Sequence, residues 1–414
     1  MEEVFVKEIQ VKAVRNLKDF RIPLDELKKK NLIITGKNGS GKTSLLRELK
    51  KFLSSATNGS LDQYDRIISA LENMENQKKM LQENANTTGQ QIHQLDNDIK
   101  SHKDWITNLG GTKIEFNRPL LVHEYFKKGD FIIAFFEAKR NTEFKVPTGI
   151  NKFSTPQVYQ IDAKAGTEFI QYIVNLKADR SFAKDDEDFN TANQIDNWFS
   201  NFEKDLFKLF DIKDISLKFD RKQYNFNLIE KGKEPYNLNQ LSDGYSAILS
   251  IVTDLIMRME EHSTKSYDVQ GIVLIDEIET HLHIELQKKV LPFLTSFFPK
   301  VQFIVTTHSP FVLSSIENAI ICDLEKKIVT TDLTGYSYDT IIESYFDSDK
   351  YSTELKNKIE EYETLKNRDT LKDDEKEKLL YLKTYLNEIP KFISDELAVK
   401  LQQIKLKDLK KKEQ

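Results

Sequence analysis

A glycine-rich loop between an apolar run and a helical pattern is the feature that most constrains this chain. Asn31–Thr35 is a short apolar run that favours a buried strand, and apolar residues recur at helical spacing over Thr43–Phe52. Between them lies the sequence Gly36-Lys37-Asn38-Gly39-Ser40-Gly41-Lys42-Thr43. Glycines let several backbone N–H groups point at one phosphate, and the positive end of the following helix adds to the attraction. The sequence therefore predicts a phosphate-binding loop, the Walker A motif, in an α/β fold.

The residues of this loop have distinct predicted roles. Lys42 is expected to place its charge between the β- and γ-phosphates of ATP, and the Thr43 hydroxyl to ligate Mg²⁺. We therefore predict ATP and Mg²⁺ as the cofactors. The remaining predicted nucleotide contacts come from the cradle itself: Asn38, Gly39, Ser40 and Gly41.

A second apolar run ends in two adjacent acids. Gly271–Ile275 predicts a buried central strand, and Asp276 and Glu277 follow it directly, as in a Walker B motif. Asp276 is expected to lie close to the Mg²⁺ that Thr43 holds. Glu277 is predicted to act as a base or to orient the attacking water. Adjacent acids after a strand are common, but together with a phosphate-binding loop they indicate ATP hydrolysis.

The segment Leu241–Tyr245 resembles the signature motif of ABC-type ATPases. Ser242 and the Gly244 backbone are predicted at the N-terminus of a helix over Ala247–Met257, a position that suits an anion. The plainer alternative is a serine that only caps the helix. The resemblance implies that Ser242 and Gly244 contact the γ-phosphate bound by a second subunit.

Two further segments resemble ABC-type ATPases. His308 follows an apolar strand and resembles the switch histidine that contacts the γ-phosphate, so it is predicted to be catalytic together with Glu277. Glu279–His283 lies where these proteins carry the D-loop, which crosses the dimer interface. A metal site at His281 and His283 is the less favoured alternative, because no further histidine or cysteine lies nearby.

One expected residue is missing from the pattern. ABC-type ATPases have a Q-loop glutamine that contacts Mg²⁺, but residues 118–145 contain no glutamine. Glu137, Lys139 and Arg140 occupy the corresponding place. Either one of these three takes over the role of the glutamine, or hydrolysis is slow.

Residues 58–110 differ from the rest of the head in the spacing of their apolar residues. Seam positions recur at alternating spacings of three and four from Leu71 to Ala85 and from Ile92 to Leu109, on either side of Thr87-Thr88-Gly89. All of them are apolar except Lys78 and His102, which weaken the packing. This pattern predicts a short antiparallel coiled-coil hairpin inserted in the ATPase head. The alternative is a solvated helical pair that only links two strands.

Strands and loops are expected over residues 111–165 and helices over 166–210. After Pro310 the chain becomes rich in lysine and glutamate, and no buried parallel strand is expected in this helical tail. The predicted domains are a head at 1–57 and 111–345, the hairpin at 58–110 and the tail at 346–414. Three helices are predicted in the tail: Tyr351–Arg368, Asp374–Glu388 and Ser394–Lys410.

Composition narrows the class of protein further. A net charge of −5 argues against a chain that coats nucleic acid through charge alone. The single cysteine, Cys322, excludes a disulfide framework and a cysteine zinc site. The N-terminus lacks the regions of a signal peptide, and the longest apolar stretch contains Asp254. We therefore expect a cytoplasmic protein without a membrane span.

Together these motifs resemble ABC-type heads of the SMC, RecF and OLD kind, and not transporters. Four segments are similar to the ATPase subunit of the Septu anti-phage system, a relative of which accompanies some retrons: Phe135–Arg140, Leu241–Ala247, Ile275–His283 and Phe303–Leu313. The resemblance implies an ATP-binding and ATP-hydrolysing regulatory subunit of a prokaryotic defence complex. It would gate a separate HNH nuclease subunit through ATP-dependent head dimerisation.

The same resemblance implies the partners. They are further copies of the chain, in a homodimer or a higher even-numbered oligomer, the HNH nuclease subunit, and nucleic acid reached through the complex. In the retron version a reverse transcriptase with its DNA product joins them.

Two other kinds of protein carry a comparable head. In the OLD type the head is fused to a TOPRIM nuclease, which needs a glutamate and an Asp-x-Asp set at strand ends. The one Asp-x-Asp of the tail, Asp347-Ser348-Asp349, has no apolar strand before it, so we expect no nuclease activity in this chain. A stand-alone SMC/RecF-like DNA clamp usually needs long coiled coils, whereas the predicted hairpin is short. This clamp remains the alternative function.

Overall fold

The computed structural model describes residues 1–83, 89–140, 143–151, 155–210, 215–260, 267–331, 333–336, 338–341, 353–366, 368 and 370–388. Contacts divide the chain into two compact units, Met1–Tyr338 and Asp339–Gln414. None of the helices in the described ranges is long and apolar enough to cross a membrane.

The elements are numbered in chain order. The strands are β1 (Val6–Val14), β2 (Leu17–Pro23), β3 (Asn31–Thr35), β4 (Thr112–Phe116), β5 (Phe131–Phe136), β6 (Ile215–Asp220), β7 (Asn225–Glu230), β8 (Tyr236–Asn237), β9 (Gln270–Ile275), β10 (Val301–Thr306), β11 (Ala319–Asp323) and β12 (Ile328–Thr331). The α-helices are α1 (Lys42–Thr57), α2 (Leu61–Glu83), α3 (Gly89–Asn108), α4 (Pro119–Lys128), α5 (Phe169–Asp185), α6 (Phe189–Phe210), α7 (Asp243–Met259), α8 (Ile284–Phe297), α9 (Pro310–Leu313), α10 (Tyr338–Thr340), α11 (Thr353–Lys366) and α12 (Asp373–Glu388). Short 3₁₀ turns span Ala165–Glu168 and Leu238–Gln240.

A six-stranded sheet lies at the centre of the first unit, in the order β12-β11-β3-β10-β9-β5. Its strands pair in parallel except for β12, which is an antiparallel edge. Every residue of β3, β9, β10 and β11 is buried, which is why these strands are mostly apolar and lack the alternation of half-exposed strands. Because they are parallel, the carboxyl ends of β3, β9 and β10 meet at one edge. The three predicted motifs that follow these strands are thereby brought together.

Helix α1 fixes the phosphate loop in place. It contacts β1 and β4 of a second, antiparallel sheet in the order β2-β1-β4, and it also contacts β9 and β10 of the central sheet. Its apolar side chains, among them Leu45, Leu49 and Phe52, are fully or almost fully buried in the shared core. Truncating such a buried leucine to alanine typically destabilises a domain by about 2–5 kcal/mol. The loop is therefore anchored at its helical end by a firmly packed element.

Helices α2 and α3 contact each other. The ion pairs Lys78–Asp96 (2.5 Å) and Glu75–Lys103 (2.6 Å) join a later residue of one helix to an earlier residue of the other, so the pair is antiparallel. The turn predicted at Thr87-Thr88 lies outside the described residues. Coiled-coil packing within this pair stays a prediction.

An aromatic core holds the helical part of the first unit together. Helices α5 and α6 contact each other and pack against the small sheet β6-β7-β8. Trp198 and Phe202 are stacked with ring centroids 5.3 Å apart, and Phe169 lies 5.6 Å from Phe202. The helices expected between residues 166 and 210 are confirmed.

Two elements differ from those predicted. Residues 111–165 were expected to hold only strands and loops, but α4 lies among them. It begins at Pro119, a residue suited to a first helical turn, and ends at Gly129 in the left-handed region, with φ 82°. No buried parallel strand was expected after Pro310, yet β11 pairs in parallel with β3. A five-residue apolar run is too short for its periodicity to identify it.

The second unit contains a small helical core. Helices α11 and α12 confirm two of the predicted tail helices, and they bury a shared apolar cluster: Ile359, Tyr362, Leu365, Leu382 and Leu386. The third predicted helix, Ser394–Lys410, and the Asp347-Ser348-Asp349 segment lie outside the described residues.

Candidate nucleotide site

The glycines of the phosphate loop have backbone conformations that other residues rarely adopt. Gly36, Gly39 and Gly41 have φ angles of 136°, 84° and 102°. A Cβ atom at Gly36 would lie 2.9 Å from the Ser40 Oγ, so this position also has no space for a side chain. The Ser40 Oγ is itself buried without a hydrogen-bond partner. A tight loop with an unsatisfied hydroxyl fits the cradle expected for a phosphate.

Lys42 is buried within the loop, with a relative exposure of 6%. Its Nζ donates hydrogen bonds to the carbonyl oxygens of Gly36 (2.8 Å) and Lys37 (3.2 Å). Burial lowers the pKa of Lys42, and nearby carboxylates, Glu277 foremost, oppose that shift. The ammonium is thus positioned beside the loop backbone that would surround a phosphate.

Asp276 connects the start of α1 with the ends of β9 and β10. The Thr43 Oγ1 donates to the Asp276 Oδ1 at 3.2 Å, and the Thr306 Oγ1 donates to the same atom at 2.6 Å. Thr306 also accepts a hydrogen bond from the backbone N of Glu277 at 2.7 Å. Thr306 had no predicted role. Its signal in the sequence is a polar residue at the end of a mostly apolar strand.

The oxygen atoms of Thr43 and Asp276 fit Mg²⁺. This ion prefers oxygen ligands and is usually held by one or two protein groups together with substrate phosphates. Within the described ranges, no group of three or more His, Cys, Asp or Glu residues could hold a metal ion through side chains alone. A metal here would therefore depend on phosphate oxygens as well.

Glu277 has an unusual backbone conformation. Its φ angle is 44°, in the left-handed region that a glutamate seldom occupies. Such a conformation costs about 1–3 kcal/mol and persists only where surrounding contacts enforce it. The Thr280 Oγ1 lies 3.4 Å from the Glu277 Oε2. The predicted catalytic carboxylate therefore follows a constrained turn directly after β9.

His308 lies in the same region. Its backbone N donates to the Glu279 Oε1 at 2.6 Å, which links it to the predicted D-loop. Burial and, next, the charge of Lys42 lower the pKa of His308 below its usual value. A neutral imidazole is therefore expected at neutral pH. Glu279 had been assigned only to the D-loop, and this contact to the His308 backbone could not be read from the sequence.

The N-terminus of α7 is arranged differently. Ser242 is the N-cap residue and is exposed, and its hydroxyl makes no capping hydrogen bond. Gly244 is buried, and a Cβ there would lie 2.8 Å from the carbonyl oxygen of His281. The Tyr245 and His283 rings meet edge to face at 6.4 Å. In the described part of the chain, no hydrogen bond joins Ser242 or Gly244 to the phosphate loop, so these two predicted contacts stay apart from the Lys42–Asp276 group.

The segment in the Q-loop position lines a cleft of about 460 Å³. Glu137 and Lys139 are exposed there, and Arg47 lies within 4.0 Å of the Glu137 carboxylate. Arg140 is buried instead, and its guanidinium contacts backbone carbonyls near Asp276. Which of the three replaces the missing glutamine stays a prediction.

Known proteins similar to this chain include Septu proteins and a retron ATPase. Over 117 residues it is 37% identical to the Septu protein PtuA of Bacillus mycoides, covering 26% of this chain and 16% of that protein. Over 94 residues it is 39% identical to the Retron Ec83 probable ATPase of Escherichia coli, covering 22% and 17%. The Septu protein PtuA of Bacillus thuringiensis is 33% identical over 133 residues, covering 29% and 33%. The chain thus spans a third or less of each relative, and the predicted resemblance to Septu and retron ATPases is confirmed.

Among solved structures, an SMC head bound to the C-winged helix domain of ScpA matches with a TM-score of 0.39 and 12% identity, covering 79% of this chain and 96% of that one. The SMC head domain from Thermotoga maritima matches with a TM-score of 0.35 and 12% identity, covering 77% and 94%.

A family model described as "AAA domain, putative AbiEii toxin, Type IV TA system" matches residues 32–314. That span contains the phosphate loop, the acid pair after β9 and His308. The chain therefore belongs to this family of AAA domains.

Proposed function

We propose that this chain is the ATP-binding and ATP-hydrolysing regulatory subunit of a prokaryotic anti-phage defence complex, and that it gates a separate HNH nuclease subunit. One observation carries the ATPase part of the proposal. The Thr43 and Thr306 hydroxyls both donate to the Asp276 carboxylate, with Lys42 buried in the adjoining loop. The similarity to Septu and retron ATPases supports the defence context.

Each residue has a defined task in this proposal. Lys42 and the loop amides would bind the phosphates of ATP, and Thr43 and Asp276 would hold Mg²⁺, which neutralises phosphate charge when bound. Glu277 would accept a proton from the attacking water or orient that water. His308, with its lowered pKa, would meet the γ-phosphate as a neutral hydrogen-bonding group.

The second half of the site would come from another copy of the chain. Ser242 is exposed at the start of α7, and its hydroxyl makes no capping hydrogen bond. Gly244 packs on the predicted D-loop. A helix N-terminus of this kind suits an anion. We propose that Ser242 and Gly244 of one subunit face the nucleotide of the other, in a homodimer or a higher even-numbered oligomer.

Nucleotide-dependent closure would then change how partner surfaces are presented. The proposed head comprises residues 1–57 and 111–345, and the α2–α3 hairpin and the tail from 346 would carry contacts to the HNH subunit. A reverse transcriptase with its DNA would join in the retron version. Nuclease activity would belong to the partner, and nucleic acid would be reached through the complex.

The test begins with purified protein. Phosphate release from ATP should be detectable and should vanish in Lys42→Ala, and its absence in the unaltered protein under all conditions would remove the enzymatic part of the proposal. The chain should then be isolated under native conditions from its own host. A stoichiometric HNH protein supports the regulatory proposal, whereas the chain alone, retaining DNA only with ATP, favours the stand-alone clamp.

A further inference from the structure

Arg140 is a buried arginine at the edge of the candidate site. It follows β5 and has a relative exposure of only 6%. β5 pairs with β9, so Arg140 emerges beside the turn at which Asp276 and Glu277 leave the sheet. A buried guanidinium is expensive unless its donors are satisfied. Its position therefore requires an explanation in terms of partners.

The Arg140 Nη1 donates to the carbonyl oxygen of Glu137 at 3.3 Å, whereas the Nε is buried without a hydrogen-bond partner. The other partners are the carbonyl oxygens of three consecutive residues. The Arg140 Nη1 donates to the carbonyl oxygen of Asp276 at 2.8 Å. The Nη2 donates to the carbonyl oxygens of Glu277 (2.9 Å) and Ile278 (3.2 Å). Three successive carbonyls can point at one group only if the backbone curls, and the φ of 44° at Glu277 supplies that curl. The planar fork of arginine suits such convergent acceptors.

The charge of Arg140 is retained in this setting. Burial lowers the pKa of Arg140 to about 10, while the carboxylates of Glu279, Asp276 and Glu277 oppose the shift. The side chain is therefore a cation at neutral pH. Charge-assisted hydrogen bonds of this kind are stronger than neutral ones, so together they can offset the ~1–3 kcal/mol cost of the left-handed Glu277 backbone.

We infer that Arg140 is a positioning residue that holds the Asp276–Ile278 turn and so sets the backbone direction from which the Glu277 side chain extends. This inference rests on the proposed function, in which Glu277 acts on the attacking water. It assigns Arg140 a task other than contact with the metal. Of the three residues in the Q-loop position, only Glu137 and Lys139 are then left as candidates for that contact.

The chain offers a matched control. Arg258 is equally buried, pairs with Asp254 at 2.6 Å, and donates to carbonyl oxygens of Ile133 (2.9 Å) and Gln160 (3.0 Å). None of its bonds reaches the turn after β9. Arg258→Lys therefore removes a buried guanidinium of the same kind, but one that does not contact the turn after β9.

Hydrogen exchange in the nucleotide-free protein tests whether Arg140 holds the Asp276–Ile278 turn, without relying on activity. In Arg140→Lys, the backbone amides of Ile278, Thr280 and Leu282 should exchange about tenfold faster, because their hydrogen bonds depend on the shape of this turn. Their acceptors are the carbonyl oxygens of Thr306, Glu277 and Glu279, respectively. Arg258→Lys should leave these amides unchanged. Equal exchange in Arg140→Lys and unaltered protein overturns the inference. Arg140→Gln provides a second variant in case the lysine variant does not fold.

Kinetic measurements then test whether Arg140 acts through Glu277. In Arg140→Lys the kcat for ATP should fall about 10- to 100-fold, with nucleotide affinity within about threefold, because a small displacement of a catalytic group has effects of this size. In a Glu277→Gln background the same change should have no further effect on residual turnover. An additional loss there shows that Arg140 does not act through Glu277. If the unaltered protein hydrolyses no ATP, the proposed function fails. The exchange experiment still tests whether Arg140 holds the Asp276–Ile278 turn.

Discussion

The phosphate loop and the start of α7, the two proposed halves of the site, differ in how many hydrogen bonds hold their residues within one chain. Around the phosphate loop, Lys42, Thr43 and Asp276 are held by hydrogen bonds to other parts of the same unit. At the start of α7, Ser242 is exposed and its hydroxyl does not cap its own helix. Under the proposed function, we therefore expect a single copy to bind nucleotide and turnover to need a second copy. Binding and turnover should therefore respond separately to mutation.

The largest effect is expected from Lys42→Ala. Lys42 is the buried cation of the loop, so its removal should abolish ATP binding and with it turnover, as isothermal titration with ATP would measure. Lys51→Ala is the matched control, since Lys51 lies on the same helix but is exposed and paired with Glu48. Retained affinity in Lys42→Ala would contradict the assignment of the phosphate loop.

Glu277→Gln separates binding from chemistry. The amide keeps the shape of the side chain but cannot accept the proton from water, so affinity should persist while turnover falls by about 10²–10⁴-fold. Light scattering should also show a longer-lived dimer in the presence of ATP. The exposed Glu234 provides a control as Glu234→Gln. An unchanged rate would show that Glu277 is not the catalytic carboxylate.

Ser242→Arg tests the other half. A bulky cation at the exposed start of α7 should leave ATP affinity within about twofold but lower turnover at least tenfold, because the arginine would replace the Ser242 contact at the nucleotide of the facing subunit. Ser181→Arg, on an exposed part of α5, is the control.

A mixture of two inactive variants sharpens the same comparison. If Ser242 serves the nucleotide of the other subunit, a dimer of Lys42→Ala with Ser242→Arg contains one site with both residues intact. Mixing should therefore restore part of the turnover that each variant lacks alone. No recovery at any mixing ratio contradicts a site shared between subunits.

The parts of this molecule that could be predicted are those whose chemistry is local in sequence. The phosphate loop and the acid pair each carry their own strand, turn and residue types, so β3, β9 and β10 were placed correctly from sequence patterns. Because parallel strands share an edge, the meeting of Thr43 with Asp276 also followed from the sequence.

The remaining features depend on pairings across the sheet. Thr306 reaches Asp276 only because β10 lies beside β9, and Arg140 reaches the same turn because β5 borders β9 on its other side. A single sequence contains no signal for strand order at such distances. For the same reason the sequence placed residues 135–140 at the Q-loop position, but it did not give the direction of the Arg140 side chain.

Gly244→Ala should have the smallest effect and addresses the link between the two halves. The new Cβ would lie 2.8 Å from the His281 carbonyl oxygen, so the start of α7 or the predicted D-loop must shift. Such overpacking costs about 1–3 kcal/mol, measurable as a lower urea midpoint, and turnover should fall a few-fold with ATP affinity unchanged. Gly149→Ala is the control, since nothing lies within 4 Å of a Cβ there. If ATP affinity falls in Gly244→Ala as much as turnover does, the start of α7 is coupled to the phosphate loop within one subunit, and the separation of the two halves is wrong.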